Sequence, residues 1–135
     1  ALRNYLINFA RPFIYTTALP PHSIAAIDCA FEYLGQHMEL QHLLAQKINK
    51  YSEGVSAFLP DTIRSSAIQT AIIPGNEVAR QVSQRLQQQG FDVRAILSPT
   101  VAQGTERLRI CLHTYNHDEQ ISNLTQALKA IVAGG

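Results

Sequence analysis

The chain has 135 residues, enough for one domain with a sizeable core and too few for two ordinary ones. Apolar residues make up 46% and charged residues only 16%, below the roughly 25% of an average domain, which fits a surface partly covered by another domain or subunit. The formal net charge of +1, without a basic run, excludes an electrostatic reason to bind nucleic acid or an anionic membrane, and no apolar stretch approaches the ~20 residues of a bilayer span.

Residues 2–10 predict a short amphipathic helix, with Leu2, Tyr5, Leu6 and Phe9 at helical spacing and no polar cap ahead of them. A natural domain boundary is usually polar, so the chain is expected to be part of a longer protein. Arg11-Pro12 ends that helix, and Phe13-Ile14-Tyr15-Thr16-Thr17 predicts an extended segment from its aromatic and β-branched content. Pro20-Pro21 stops it, and Ser23 is the expected N-cap of the next helix, whose Ile24, Ile27, Phe31, Leu34 and Met38 form one stripe. Gly35 either kinks this helix or divides it from a second carrying Leu40, Leu44, Ile48, Tyr51, Val55 and Phe58.

Pro60-Asp61 is a turn signal. Residues 66–73 predict a strand, Asn76 the cap of a helix with Val78, Val82 and Leu86 on one face, and Gly90 its end. Residues 91–97 alternate as a strand, with Phe91, Val93, Ala95 and Leu97 on one side. A loop from Ser98 to Glu106 leads to Arg107–Leu112, whose Leu108, Ile110 and Leu112 face the core. Asn116 with Glu119 resembles a capping box for a last helix with Ile121, Leu124, Leu128 and Ile131 inward. Strand, helix, strand, strand, helix predicts an α+β fold, a small mostly antiparallel sheet covered by helices and preceded by long helices.

No familiar catalytic set stands out. The five histidines are scattered without metal-ligand spacing, and no metal site is expected. Cys29 and Cys111 read as reduced, small apolar fillers, and the cytoplasm is the expected compartment. Two segments have unusual chemistry. Arg107 and Arg109 share one strand face, which is either a solvated surface or a grip for an anion such as a carboxylate. Thr16 and Thr17 either merely suit a strand or donate hydroxyls to phosphate oxygens.

Three stretches together resemble one family. They are Tyr5-Leu6-Ile7-Asn8-Phe9-Ala10-Arg11 running into Phe13-Ile14-Tyr15-Thr16-Thr17-Ala18-Leu19-Pro20-Pro21; Ser66-Ala67-Ile68-Gln69 with Leu86 to Val93; and Ser98-Pro99-Thr100-Val101 with Gly104-Thr105-Glu106-Arg107-Leu108-Arg109. In this order they are similar to the C-terminal part of the α-oxoamine synthases, fold-type I pyridoxal-phosphate enzymes, and most like the biotin-pathway branch. The resemblance implies that residues 1–21 are a remnant of the large cofactor-binding domain, 22–59 connecting helices and 60–135 the C-terminal α+β domain. It implies a homodimeric acyltransferase that condenses L-alanine with a pimeloyl thioester, carried by CoA or an acyl carrier, and loses carbon dioxide.

The resemblance assigns Arg109 to the amino acid's carboxylate, Thr100 to the neighbourhood of the acyl chain, and Thr17, with Thr16, to the cofactor phosphate of the neighbouring subunit. It places the Schiff-base lysine in a Gly-Lys-Gly-like motif upstream. Lys47, Lys50 and Lys129 do not match that motif, so the chain alone is expected to be inactive and not to bind pyridoxal phosphate. Leu97 stands where several biotin-pathway relatives carry arginine. Another branch, such as the ligase that makes 2-amino-3-ketobutyrate, is the nearest alternative. A free-standing ferredoxin-like ligand-binding module is the alternative of another class, and the long helices over 24–59 argue against it.

Overall fold

The chain divides between Met38 and Glu39 into two units, inside the segment expected to hold connecting helices. The computed structural model describes residues 1–59 and 65–133, so the expected Pro60-Asp61 turn lies outside the described residues.

The first unit carries α1 (Leu2–Phe9), α2 (Arg11–Ile14) and α3 (Pro21–Gln36). The expected extended segment at Phe13–Thr17 is not formed. Pro12 sits in the first turn of α2, where its fixed φ suits a helix and its missing N–H has no intrahelical partner to lose. The Ala10 carbonyl takes the N–H groups of Phe13 and Ile14, both at 2.9 Å. Thr16 and Thr17 therefore follow a turn rather than ending a strand. Ser23 does not cap α3 either. Pro21 opens the helix and the Pro20 carbonyl accepts the Ser23 N–H at 2.9 Å, which puts Ser23 inside the first turn. After Gly35 the chain divides: His37 leaves helical geometry at φ −125°, ψ 55°, and α4 starts at Glu39. None of α1, α2 or α3 contains a buried residue, so the stripe of Ile24, Ile27, Phe31, Leu34 and Met38 is exposed.

The second unit contains α4 (Glu39–Val55), β1 (Ile68–Ile72), α5 (Asn76–Gln88), β2 (Arg94–Ile96), β3 (Arg107–Cys111) and α6 (Asp118–Ala133). The strand order is β1-β3-β2 with both pairings antiparallel, as the α+β expectation requires. Period-two geometry and the register sort the side chains into two faces. Ala71, Leu108 and Ala95 stand opposite one another on the inner face, and Thr70, Arg109 and Arg94 on the outer. Leu108, Ile110 and Leu112 join Leu86 of α5, Tyr51 and Val55 of α4, and Ile121, Leu124 and Leu128 of α6 in one core.

Local hydrogen bonds explain the remaining departures. β2 is shorter than the alternation over 91–97 because both backbone groups of Val93 are engaged elsewhere. Its N–H donates to the Phe91 carbonyl, and its carbonyl accepts Ser83 Oγ at 2.8 Å and Gln87 Nε2 at 2.9 Å. α5 closes as expected at Gly90, φ +89°, in a Schellman arrangement with Phe91 N–H on the Leu86 carbonyl and Gly90 N–H on that of Gln87. The expected box at Asn116 and Glu119 is shifted by one residue. Gln120 Oε1 accepts the His117 N–H at 2.9 Å, while Asn116 Oδ1 accepts the His113 N–H and closes the preceding turn. Cys29 and Cys111 are free but exposed, not core fillers, since Cys111 falls on the outer sheet face and α3 buries nothing.

α4 and α6 approach closely at Gly54, where an added Cβ would lie 2.8 Å from the Thr125 side chain. We expect Gly54→Ala to lower stability by about 1–3 kcal/mol in urea denaturation, because overpacking outweighs the ~1 kcal/mol gain in helix propensity. Tyr51 is fully buried, its hydroxyl has no hydrogen-bond partner among the described residues, and burial pushes its ionisation far up. Tyr51→Phe should accordingly raise the urea midpoint, by about 1 kcal/mol of stability.

Candidate functional site

The outer sheet face concentrates charge. Arg94 and Arg109 are directly opposed across β2 and β3, a like-charged pair that disfavours the sheet unless each finds an anion. Arg94 finds one in Asp92, with Nε 2.8 Å from Oδ1. Arg107 is half-buried and its Nε donates to the Thr105 carbonyl at 2.9 Å, which turns it along its own strand. The Arg109 side chain is exposed and makes no ion pair or hydrogen bond to a described residue. Its five donors in a planar fork remain available to an anion.

Arg109 borders a cavity of about 370 Å³ where β3 runs on past the end of β2. The cavity exists because Val93 does not continue the ladder, which leaves the β2 side of β3 open beyond Arg109. His113 and Tyr115 form part of its wall, their rings stacked 4.8 Å apart and nearly parallel at 7°. Gln120 and Ile121 of α6 and Asp92 complete the polar and apolar sides. Such a site can take a carboxylate on a small, partly apolar molecule, held in a fork and bounded by flat rings.

Thr100 lies in the loop between β2 and β3, exposed and without a hydrogen bond to a described residue. Both ends of this loop are tied to the turn before α5. Asn76 does not cap α5, because Gly75 holds the capping position with φ +96°. Instead Asn76 Nδ2 donates to the Ser98 carbonyl at 3.2 Å, and its Oδ1 accepts the Ser98 N–H at 2.9 Å. At the other end Glu106, only 1% exposed, accepts the N–H of Gly75 at 2.9 Å and of Gly104 at 3.0 Å on one oxygen. The Gly75 N–H first, then Glu106's own N–H, hold its carboxyl below the usual range against the opposing effect of burial. The expectation assigned no role to either residue. The signal for Glu106 was present in the alternation, since position 106 continues the inward series of Leu108, Ile110 and Leu112.

Thr16 and Thr17 belong to the first unit, are exposed, and make no hydrogen bond to a described residue. Lys47 does not resemble a free catalytic amine. It is bound to Asp118 at 2.5 Å, with Lys50 at 3.9 Å from the same carboxylate. Among the described residues no group of three or more His, Cys, Asp or Glu could hold a metal ion, and no helix is long and apolar enough to cross a membrane.

A family model described as aminotransferase class I and II matches residues 1–128. The chain belongs to the aminotransferase class I and II family. It is similar to the 8-amino-7-oxononanoate synthase of Emericella nidulans, 38% identical over 136 residues that cover 93% of this chain and 32% of that protein. Among solved structures it resembles the 8-amino-7-oxononanoate synthase of Francisella tularensis, with a TM-score of 0.78 and 27% identity over 98% of this chain and 39% of that one. A serine palmitoyltransferase solved with pyridoxal phosphate has a TM-score of 0.81 at 23% identity, covering 98% of this chain and 34% of its own, a likeness of fold. The chain spans about a third of the length of the curated relatives it matches. The expected resemblance to the α-oxoamine synthases and the expected fold are thus both found.

Ionised Glu106 and Asp118 also make a statement about stability. Asp118 is held low chiefly by its hydrogen bond from Lys47. A carboxyl whose folded value lies below its unfolded value stabilises fully above the latter, about 4, and loses that contribution as pH falls through the folded value. The urea midpoint should fall below about pH 4, and Glu106→Gln should flatten this acid dependence while lowering stability at neutral pH. An acid limb identical in both proteins would remove Glu106 from it.

Proposed function

We propose that this chain supplies the amino-acid carboxylate site of a pyridoxal-phosphate-dependent acyltransferase. In this reading the enzyme condenses L-alanine with a pimeloyl thioester, with decarboxylation, to give 8-amino-7-oxononanoate. The observation that carries it is Arg109, an unengaged guanidinium on a cavity rim, in a chain similar along nearly its whole length to synthases of that name.

The side chains present are compatible with the cofactor. Thr16 and Thr17 keep exposed hydroxyls that no described residue engages, and they would donate to its phosphate, in the site of the neighbouring subunit of a homodimer. Pyridoxal phosphate, when bound, supplies the electron sink that stabilises a carbanion next to the amino nitrogen. By the resemblance, the amine that would capture its aldehyde belongs to a Gly-Lys-Gly-like motif that Lys47, Lys50 and Lys129 do not match. Arg109 holds the substrate carboxylate in two parallel hydrogen bonds and so fixes which bond at the α-carbon is oriented for cleavage. Thr100 lies beside the acyl chain. The two free thiols are in keeping with a cytoplasmic setting, which belongs to this reading.

A second reading, the branch that joins glycine to acetyl-CoA, draws on Leu97. This side chain packs against the core where several biotin-pathway relatives carry arginine, so the loop start offers no charge to a second carboxylate. Steady-state kinetics of the full-length enzyme with both substrate pairs separates the two. Faster turnover of glycine with acetyl-CoA rejects the pimeloyl assignment. In either branch Arg109→Ala should weaken amino acid binding by about 2–5 kcal/mol and leave the thioester KM nearly unchanged. An unaltered amino acid KM and kcat would take Arg109 out of the site.

A further inference from the structure

We propose that Glu106 and Asn76 are positioning residues for acyl-donor recognition, because they tie the two ends of the Ser98–Glu106 loop to the single turn Gly75-Asn76. The proposal rests on the reading above, in which Thr100 of this loop faces the acyl chain.

The loop interior has little else to place it. Pro99, Thr100, Ala102 and Gln103 are exposed, and the internal bonds, Val101 N–H to the Leu97 carbonyl and Thr105 to that of Ala102, set its shape rather than its attachment. Beside one backbone bond at its far end, Ile73 N–H to the Glu106 carbonyl at 2.8 Å, attachment comes from side chains on either flank. Asn76 forms a closed pair with both backbone groups of Ser98, which fixes direction as well as distance. Glu106 bridges Gly75 and Gly104 through one oxygen, and both glycines have positive φ, +96° and +83°.

Glu106 is also a costly way to fill an inward position. The residues that follow it on that face are Leu108 and Ile110, and an apolar side chain there would avoid burying a charge. The carboxylate has no cationic partner within salt-bridge distance among the described residues and is satisfied by backbone N–H groups alone. A neutral Gln would keep one acceptor oxygen for Gly75 and Gly104 but lose the charge that strengthens both bonds. What the ionised oxygen fixes is the loop.

The test uses the full-length enzyme with Asn76→Ala, Glu106→Gln and Glu106→Asp, varying amino acid and thioester separately. We expect Asn76→Ala and Glu106→Gln each to raise the thioester KM about tenfold with the amino acid KM within about twofold, as a small misplacement of a binding element does. Glu106→Asp, one methylene shorter, should fall between. Amide exchange across Ala102–Thr105 should speed up in the same variants while β3 stays protected. Equal rises in both KM values, or an unchanged thioester KM in folded Asn76→Ala, overturn the proposal even where Glu106→Gln fails to fold. Turnover by the parent with those outcomes leaves the functional reading standing; no turnover with any amino acid and thioester pair removes that reading, and this proposal with it.

Discussion

β3 is the central strand, and the period-two alternation of its side chains sets the terms for the rest of the second unit. Even positions from Glu106 to Leu112 turn inward, and odd positions from Arg107 to Cys111 turn outward. A shift of one residue would bury both guanidinium groups and expose Leu108 and Ile110, so the register is held by the cost of either error. Once it is held, Arg109 cannot avoid standing opposite Arg94 and Thr70. Asp92 relieves Arg94, and the remaining positive charge is presented at the open end of the sheet. The core and the candidate site are two faces of one constraint.

This constraint is also what made the second unit readable. Arg107–Leu112, Ile68–Ile72 and the stripes of α4 and α6 depend on burial patterns that a sequence records directly. What escaped were contests over single backbone groups. Ser23 and Asn76 are good caps by type, yet Pro21 and Gly75 already supply the backbone geometry, and Asn76 serves Ser98 instead. β2 lost its first residues to Ser83 and Gln87, which reach Val93 from another helix. The aromatic, β-branched stretch after Pro12 has no strand neighbour among the described residues, and its opening turns helical.

Glu106 and Gln69 show the same face from the side of its exceptions. Both are polar, both are turned inward, and both are essentially inaccessible. Gln69 bonds through its amide to the Ser66 carbonyl at 2.6 Å, a local solution that secures the entry to β1. Glu106 bonds across 31 positions of sequence to Gly75, a long-range solution that joins two connections. The difference matters because a local bond can be replaced by a neighbouring turn, whereas a bond between distant loops sets their relative position. A polar residue breaking the inward series could be recognised from sequence; its partner could not, since nothing local marks Gly75 as the donor.

In the proposed reaction the acyl donor would meet the same alternation. Leu97 continues the inward series of Val93 and Ala95 and packs on the core. An arginine there would have to leave that series to present its charge. On the outer face Arg94 is occupied by Asp92 and Arg107 by a backbone carbonyl, while the proposed function gives Arg109 to the amino acid. With a pimeloyl donor, the carboxylate at the far end of the chain would therefore find no unengaged arginine on this sheet, and its counter-charge would come from elsewhere in the assembled enzyme. Thr100 and the loop that carries it would then govern the fit of the apolar part of the acyl chain. Discrimination by such a contact is modest, about 1–3 kcal/mol per methylene, whereas a guanidinium fork at Arg109, in the proposed reading, would separate substrates with a carboxylate from those without one far more sharply.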